Sequence, residues 1–188
     1  MKNLYFCILF IVFASFFVGC KDTKKQAEII EQDSIVYNVE EISDQTLYGR
    51  CGDGSAMHTL ELITDAGDTL YFVVNDDSVS NVKGGMAAGD RMAVMVDPDS
   101  SDEDAQRALE VINLTTLLGK WVSLDKSFEL QEGGVVISNV KEPKPYVEWK
   151  ILNGQLVLSA DTFKVFELGV DTLMLENEKG IFAYKRLK

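Results

Sequence analysis

Apolar residues in this chain recur at every second position, in short runs that turn signals interrupt about every eight to ten residues. A period of two places alternate side chains on opposite faces of an extended backbone, so each run reads as a half-buried strand. Leu60 and Leu62 share a face, Ala66-Gly67-Asp68 signals a turn, and Leu70, Phe72 and Val74 return beside them. Asn153-Gly154 lies between two further alternating runs and favours a type I′ hairpin turn, because both residues tolerate positive φ. The expected fold class is all-β, built as two small antiparallel barrels.

Charge marks where one barrel gives way to the other. From Lys21 to Leu118 there are seven Lys and Arg against twenty Asp and Glu, net −13, whereas Gly119 to Lys188 carries ten of each. Such asymmetry points to two modules, assigned to residues 35–116 and 117–188. In the first, a strand ends at Cys51 with Leu47 near its end. The Leu60 and Phe72 hairpin follows, then a turn-rich connection from Asn75 to Asp90 with room for a helical turn. Met92, Val94 and Val96 alternate next, and Ala108 to Leu114 forms the last strand. Its apolar phase switches between Val111 and Ile112, which predicts a bulge there. Three strands, a connection and two strands is the order of an OB-type five-stranded barrel.

The start of the chain is a targeting segment. Met1-Lys2-Asn3 is positive, and Leu4 to Val18 is apolar for about fifteen residues, shorter than the ~18–20 of a membrane span. Phe17-Val18-Gly19-Cys20 resembles the lipobox of bacterial lipoproteins. The resemblance implies a signal peptide over residues 1–19 and a diacylglyceryl (palmitate-type) lipid on Cys20, which would hold the protein to the membrane. Residues 20–34 read as a tether. Lys21-Asp22 resembles the surface-export signal of Bacteroidetes lipoproteins, so the expected location is the outer membrane, either cell-surface exposed or facing the periplasm. Asp33-Ser34-Ile35 is similar to Bacteroidetes O-glycosylation triplets, with Ser34 as acceptor. Cys7 leaves with the signal, Cys20 is lipidated, and Cys51 cannot form an internal disulfide alone.

The second module carries a sharper resemblance. Leu117-Leu118-Gly119-Lys120-Trp121 looks like the Gly-x-Trp opening of lipocalins. Phe128-Glu129-Leu130, Gly133-Gly134, Tyr146-Val147-Glu148-Trp149-Lys150, Gly154-Gln155-Leu156, Asp171-Thr172-Leu173 and Ala183-Tyr184-Lys185-Arg186 resemble the short lipocalin-like domain of Bacteroidetes lipoproteins. The likeness implies a small barrel in an extracytoplasmic setting, with Trp121 closing one end, and carries no activity. Val147, Trp149 and Ile151 read as one inward face. Trp121, Trp149 and Tyr146 are candidates either to line a ligand cavity or to fill the core. A tight connection at Ala160-Asp161 favours the filled barrel.

Chemistry is sparse. There is no nucleophile elbow, no CxxC, no P-loop and no dinucleotide fingerprint. One histidine, His58, excludes a His-rich metal site and reads as a surface or barrel-mouth imidazole. Cys51 reads as a small buried residue. The acidic run from Asp97 to Asp104 lacks the glycine and distal glutamate of an EF-hand loop and reads as a solvated loop. The pattern calls for no catalytic residue, no metal and no cofactor. A module of net −13 repels a phosphate backbone, so nucleic acid is excluded as a partner. The expected function is a non-catalytic binding or scaffolding lipoprotein that engages an envelope protein, a glycan or an apolar small molecule. The alternatives are a lipocalin-type carrier of a small apolar ligand and a hydrolase of envelope glycans or lipids.

Overall fold

In a computed structural model of the protein, residues 43–75, 80–100, 106–138 and 143–188 are described. Residues 1–42, with Cys20 and Ser34, lie outside the described residues, as do Ser101 to Asp104 of the acidic run.

The first barrel contains β1 (Leu47–Cys51), β2 (Thr59–Thr64), β3 (Thr69–Val73), β4 (Val82–Lys83), β5 (Arg91–Val96) and β6 (Gln106–Asn113). β1 pairs antiparallel with both β2 and β5, β2 with β3, and β5 with β6. A parallel pairing of β3 with β6, Phe72 opposite Gln106 and Val73 opposite Arg107, closes the five strands β1, β2, β3, β5 and β6. This is the OB-type order expected. Leu60, Leu62, Phe72, Met92, Val94 and Val111 are buried inside, with Cys51 beside them.

Two details of the strands differ from the sequence expectation. Leu47 opens β1 instead of lying near its end. The β3–β5 connection, of which residues 76–79 lie outside the described residues, holds no helical turn in its described part. It runs through β4, parallel to β6, and then Gly84, Gly85 and Gly89, whose φ values of 92°, 75° and 88° cannot continue a right-handed helix. The register shift on β6 falls opposite Met95 and Val96, where Leu109 is the extra residue, not at Val111 and Ile112. Val111 and Ile112 are both buried for another reason. Val111 faces the first core and Ile112 faces the second barrel, so this end of β6 is covered on both sides.

Asn113 then caps a single helical turn, α1 (Leu114–Leu117), by accepting the Thr116 N–H on its side-chain oxygen at 2.9 Å. The second barrel follows: β7 (Gly119–Val122), β8 (Ser127–Leu130), β9 (Val136–Ser138), β10 (Trp149–Leu152), β11 (Gln155–Leu158), β12 (Asp161–Leu168), β13 (Thr172–Asn177) and β14 (Gly180–Arg186). Each strand pairs antiparallel with its successor from β7 to β9 and from β10 to β14, and β14 returns to β7. Between β9 and β10 the seam holds one isolated bridge, Val135 to Glu148, and a bond from the Val136 N–H to the Val147 carbonyl at 3.0 Å. The barrel is therefore nearly closed.

The expected hairpin is present. Asn153 and Gly154 have φ of 48° and 75° between β10 and β11, the signs a type I′ turn requires. Its tip docks on the first barrel. The Asn153 N–H donates to Asp44 and the Gln45 N–H donates to the Asn153 side chain, while the Tyr48 hydroxyl donates to the Ile151 carbonyl at 2.9 Å. A Cβ on Gly154 would lie 3.2 Å from that of Met95, so glycine permits both the turn and this approach. Ala93 and Ile112 of the first barrel belong to the core cluster of the second, and Ile42–Lys188 forms one compact unit.

Candidate functional site

The interior of the second barrel is filled by its own side chains. Trp121, Phe128, Leu156, Leu158, Val165, Leu173 and Leu175 are fully buried. Phe128 meets Tyr146 and Tyr184 edge-on at centroid distances of 5.6 and 5.1 Å, a favourable quadrupole geometry. Short strands with large inward residues leave no room for a ligand among these rings.

Trp121 is a packing residue. Its indole N–H donates to the Leu117 carbonyl at 2.9 Å, so α1 fixes the ring. The Arg186 guanidinium lies 4.2 Å over its centroid and donates to the carbonyls of Thr116, Leu118 and Val170. One cation thereby covers the end of the barrel and satisfies the carbonyls of the connector. Tyr146 is also core, 6% exposed, with the Lys126 ammonium 4.4 Å over its ring.

Trp149 differs from both. It is half-buried at the start of β10, while Ile151 reaches the core and Val147 is 60% exposed. The single inward face expected for these three residues is therefore interrupted, because the barrel seam opens at this end of β10. The Trp149 indole N–H donates to the Gln131 carbonyl at 2.8 Å, which pins the ring at the rim.

Trp149 lines a cleft of about 490 Å³ where the two barrels meet. Arg50, Gly89, Asp90 and Arg91 of the first barrel form one wall. Leu114, Thr115 and Leu118 of the connector form an apolar base, and Glu132, Gly133 and Trp149 form the opposite wall. The first wall is held rigidly. Arg91 makes a two-pronged ion pair with Asp65, which raises its pKa further and keeps the Asp65 carboxyl below its usual range. Its backbone N–H donates to the Thr115 hydroxyl at 2.8 Å. Arg50 donates to the Gly89 carbonyl at 2.9 Å.

A second cleft of about 210 Å³ is lined by Gly133, Gly134, Glu148, Trp149, Lys150, Val157 and Ser159. The glycines are required: both have positive φ, and a Cβ on Gly134 would come within 2.9 Å of the Trp149 carbonyl oxygen. A third cleft of about 320 Å³, lined in part by Ser55, Met57, Asn75 and Met86, lies on the first barrel alone.

The residues singled out for chemistry are scattered. Cys51 is buried at 2% exposure, 3.2 Å from the Ser55 hydroxyl. His58 is exposed, its Nδ1 3.0 Å from the Asn75 carbonyl oxygen. Among the described residues no three His, Cys, Asp or Glu side chains converge. One acid is distinctive. Glu110 on β6 is pressed against the Gly154 turn, and burial pushes its carboxyl up to about 7 against the pull of Lys83 and Lys164. Its Oε1 lacks a hydrogen-bond partner among the described residues.

Sequence reasoning missed the junction cleft as a site. Gly89-Asp90-Arg91 stands out only as a step into a strand, and Glu132-Gly133-Gly134 only as a turn. Their meeting depends on how one barrel docks on the other, which no local pattern encodes. Compared with protein-family models, curated proteins and solved structures, the chain gives no match.

Proposed function

We propose that the protein is a non-catalytic binding module of the bacterial cell envelope, anchored at the outer membrane through a lipid on Cys20, with its ligand site at the junction of the two barrels. One observation carries this reading. Both barrel interiors are filled, while a cleft of about 490 Å³, within the ~300–1,000 Å³ range of small-molecule sites, lies where two structural units meet. A carrier of lipocalin type would hold its ligand inside the second barrel, where rings are packed edge-on instead. A glycan hydrolase would need two acids facing each other with one strongly raised pKa. The raised acid here, Glu110, faces Lys83 and Lys164.

The test is ligand-observed NMR with a fragment library against the full chain and a Thr115→Trp variant, whose indole fills the base of the cleft. Fragments bound by the parent and lost in the variant are expected. Equal binding to both would place recognition elsewhere. The anchor is checked separately: palmitate labelling should be lost in Cys20→Ala.

A further inference from the structure

The bulge on β6 decides where Glu110 points. Ala108 and Val111 both face the first core although they lie three positions apart, because Leu109 is the extra residue between them. The bulge reverses the parity of the strand and turns Glu110 outward, beside its cross-strand partner Met95. The β10–β11 turn of the second barrel is laid on this pair. A Cβ on Gly154 would lie 3.2 Å from the Cβ of Met95 and 3.4 Å from that of Glu110. The Glu110 Oε1 is shut off from solvent and has no hydrogen-bond partner among the described residues. A protonated carboxyl tolerates such burial better than a carboxylate, which is left short of the donors that water would supply.

The charged groups that face Glu110 are Lys83 from β4 and Lys164 from β12, while Met95 and Gly154 carry none. Burial outweighs the pull of both lysines. Neither ammonium bonds Oε1, and that of Lys83 donates to the Ser80 carbonyl at 3.0 Å instead. The turn is otherwise seated by the Gln45 N–H on the Asn153 side chain at 2.9 Å, the Asn153 N–H on Asp44 at 3.2 Å and the Tyr48 hydroxyl on the Ile151 carbonyl at 2.9 Å. The first two are exposed, so water can replace them at little cost. Neither ionisable group among them changes state near neutrality. Burial pulls against Asp44, but bonds from Thr46 and Asn153 hold its carboxyl below the usual range, and burial pushes the Tyr48 hydroxyl up.

We propose that the seat of the β10–β11 turn on β5 and β6 is a pH-sensitive latch, closed while Glu110 carries its proton and released when the proton is lost. Release lets water reach the carboxylate, while Ala93, Ile112 and the connector keep the barrels joined. The direction follows from linkage. Seating raises the carboxyl from 4.5 to about 7, so the seat is fully favoured below about pH 4.5 and weakens as pH rises through about 7. Trp149 lies on the same strand, so release also shifts one wall of the junction cleft.

Hydrogen exchange of the full chain, followed by mass spectrometry at about pH 5 and about pH 8.5, tests this against Glu110→Gln, which is neutral at both. Comparing the two chains at one pH removes the ordinary pH dependence of exchange. Peptides covering Gln45–Tyr48 and Ile151–Gly154 report on the seat, and peptides from β12 and β13 report on the core. The seat should exchange faster than the core. At about pH 8.5 it should be about tenfold less protected in the parent than in Glu110→Gln, and at about pH 5 the two chains should agree. Equal protection of the seat at the higher pH overturns the latch, because ionisation then leaves the turn in place. Seat peptides that exchange only at the core's rate overturn it too, because the turn then never opens on its own. Lys164→Met, at an exposed position, gives a second reading. Removing a cation that favours ionisation should raise the pH at which the parent loses protection. A midpoint that stays or falls would assign the titration to another group and overturn the proposal.

Discussion

The two barrels solve the same closure problem by opposite routes. The first joins strands distant in sequence, β3 and β6, through a parallel pair, and encloses a mainly aliphatic core with Phe72 as its one aromatic residue among the described residues. The second winds strand after strand in chain order around Trp121, Phe128, Tyr146, Phe163 and Tyr184. Large rings fill a wider barrel that leucines alone would leave hollow. The wider barrel is thus the one with the shape of a carrier and the contents of a core. The cleft lies instead at its rim, where Trp149 stands beside the smaller barrel.

Trp121→Ala tests most severely whether the barrels are separate in energy as well as in shape. It should cost ~3–5 kcal/mol, because a fully buried indole leaves a cavity that fixed strands cannot collapse. Since Ala93 and Ile112 of the first barrel belong to the same core cluster, denaturant unfolding followed by fluorescence and by far-UV circular dichroism should shift as one transition. Two separated transitions would show that the junction is not a shared core.

Asn113→Ala comes next. The Asn113 amide donates to the Gly84 and Gly85 carbonyls and to Asp90 while its oxygen caps α1, and the residue is fully buried. Losing these bonds should cost ~2–3 kcal/mol in chemical denaturation. A loss confined to fluorescence, with the first barrel still folded, would show that this residue serves the second barrel only.

Glu110→Gln sharpens the comparison through pH. The folded pKa of about 7 exceeds the ordinary value of 4.5, so the fold binds a proton more tightly than the unfolded chain. The contribution is fully present below about pH 4.5 and is lost as pH rises through about 7. The variant should therefore be more stable than the parent at pH 8, by about 1–2 kcal/mol after solvent screening, and equal to it at pH 4. Thermal melts at the two pH values check this. A pH-independent difference would mean that Glu110 titrates normally.

Asp65→Asn should have the smallest effect. Its ion pair with Arg91 is largely exposed, so the loss should stay below ~1 kcal/mol and shrink with added salt. Its pKa is lowered in the fold, so the contribution is present above the usual carboxylate range and disappears as pH falls through the lowered value.

The strands were legible because their physics is local. Leu60, Leu62, Phe163, Val165, Leu173 and Leu175 alternate in sequence and all point inward, and Asn153-Gly154 makes the turn its two residues favour. What stayed hidden depends on both barrels at once. Val111 and Ile112 break alternation because one faces each core, a fact visible only when the second barrel is in place. The helical turn at Leu114–Leu117 had a readable signal in Asn113, a strong N-cap residue, but alternating apolar runs on both sides mask it. Trp149 follows the inward parity of Ile151, yet the open seam leaves it at the rim, and parity alone carries no information about where a barrel gapes.

The pairing of β14 with β7 also sets an order in time. Trp121 and the connector carbonyls emerge from the ribosome well before Arg186, which lies 68 and 70 residues beyond Leu118 and Thr116 in its bonds to them. Until that arginine arrives, the barrel's first strand lacks its neighbour and its tryptophan lacks a cover. The second barrel therefore closes only after its last strand has been synthesised. Proteolytic nicking before Gly180 would leave an exposed aromatic surface and not a smaller barrel, so the nascent chain has most to gain from a chaperone over this final stretch.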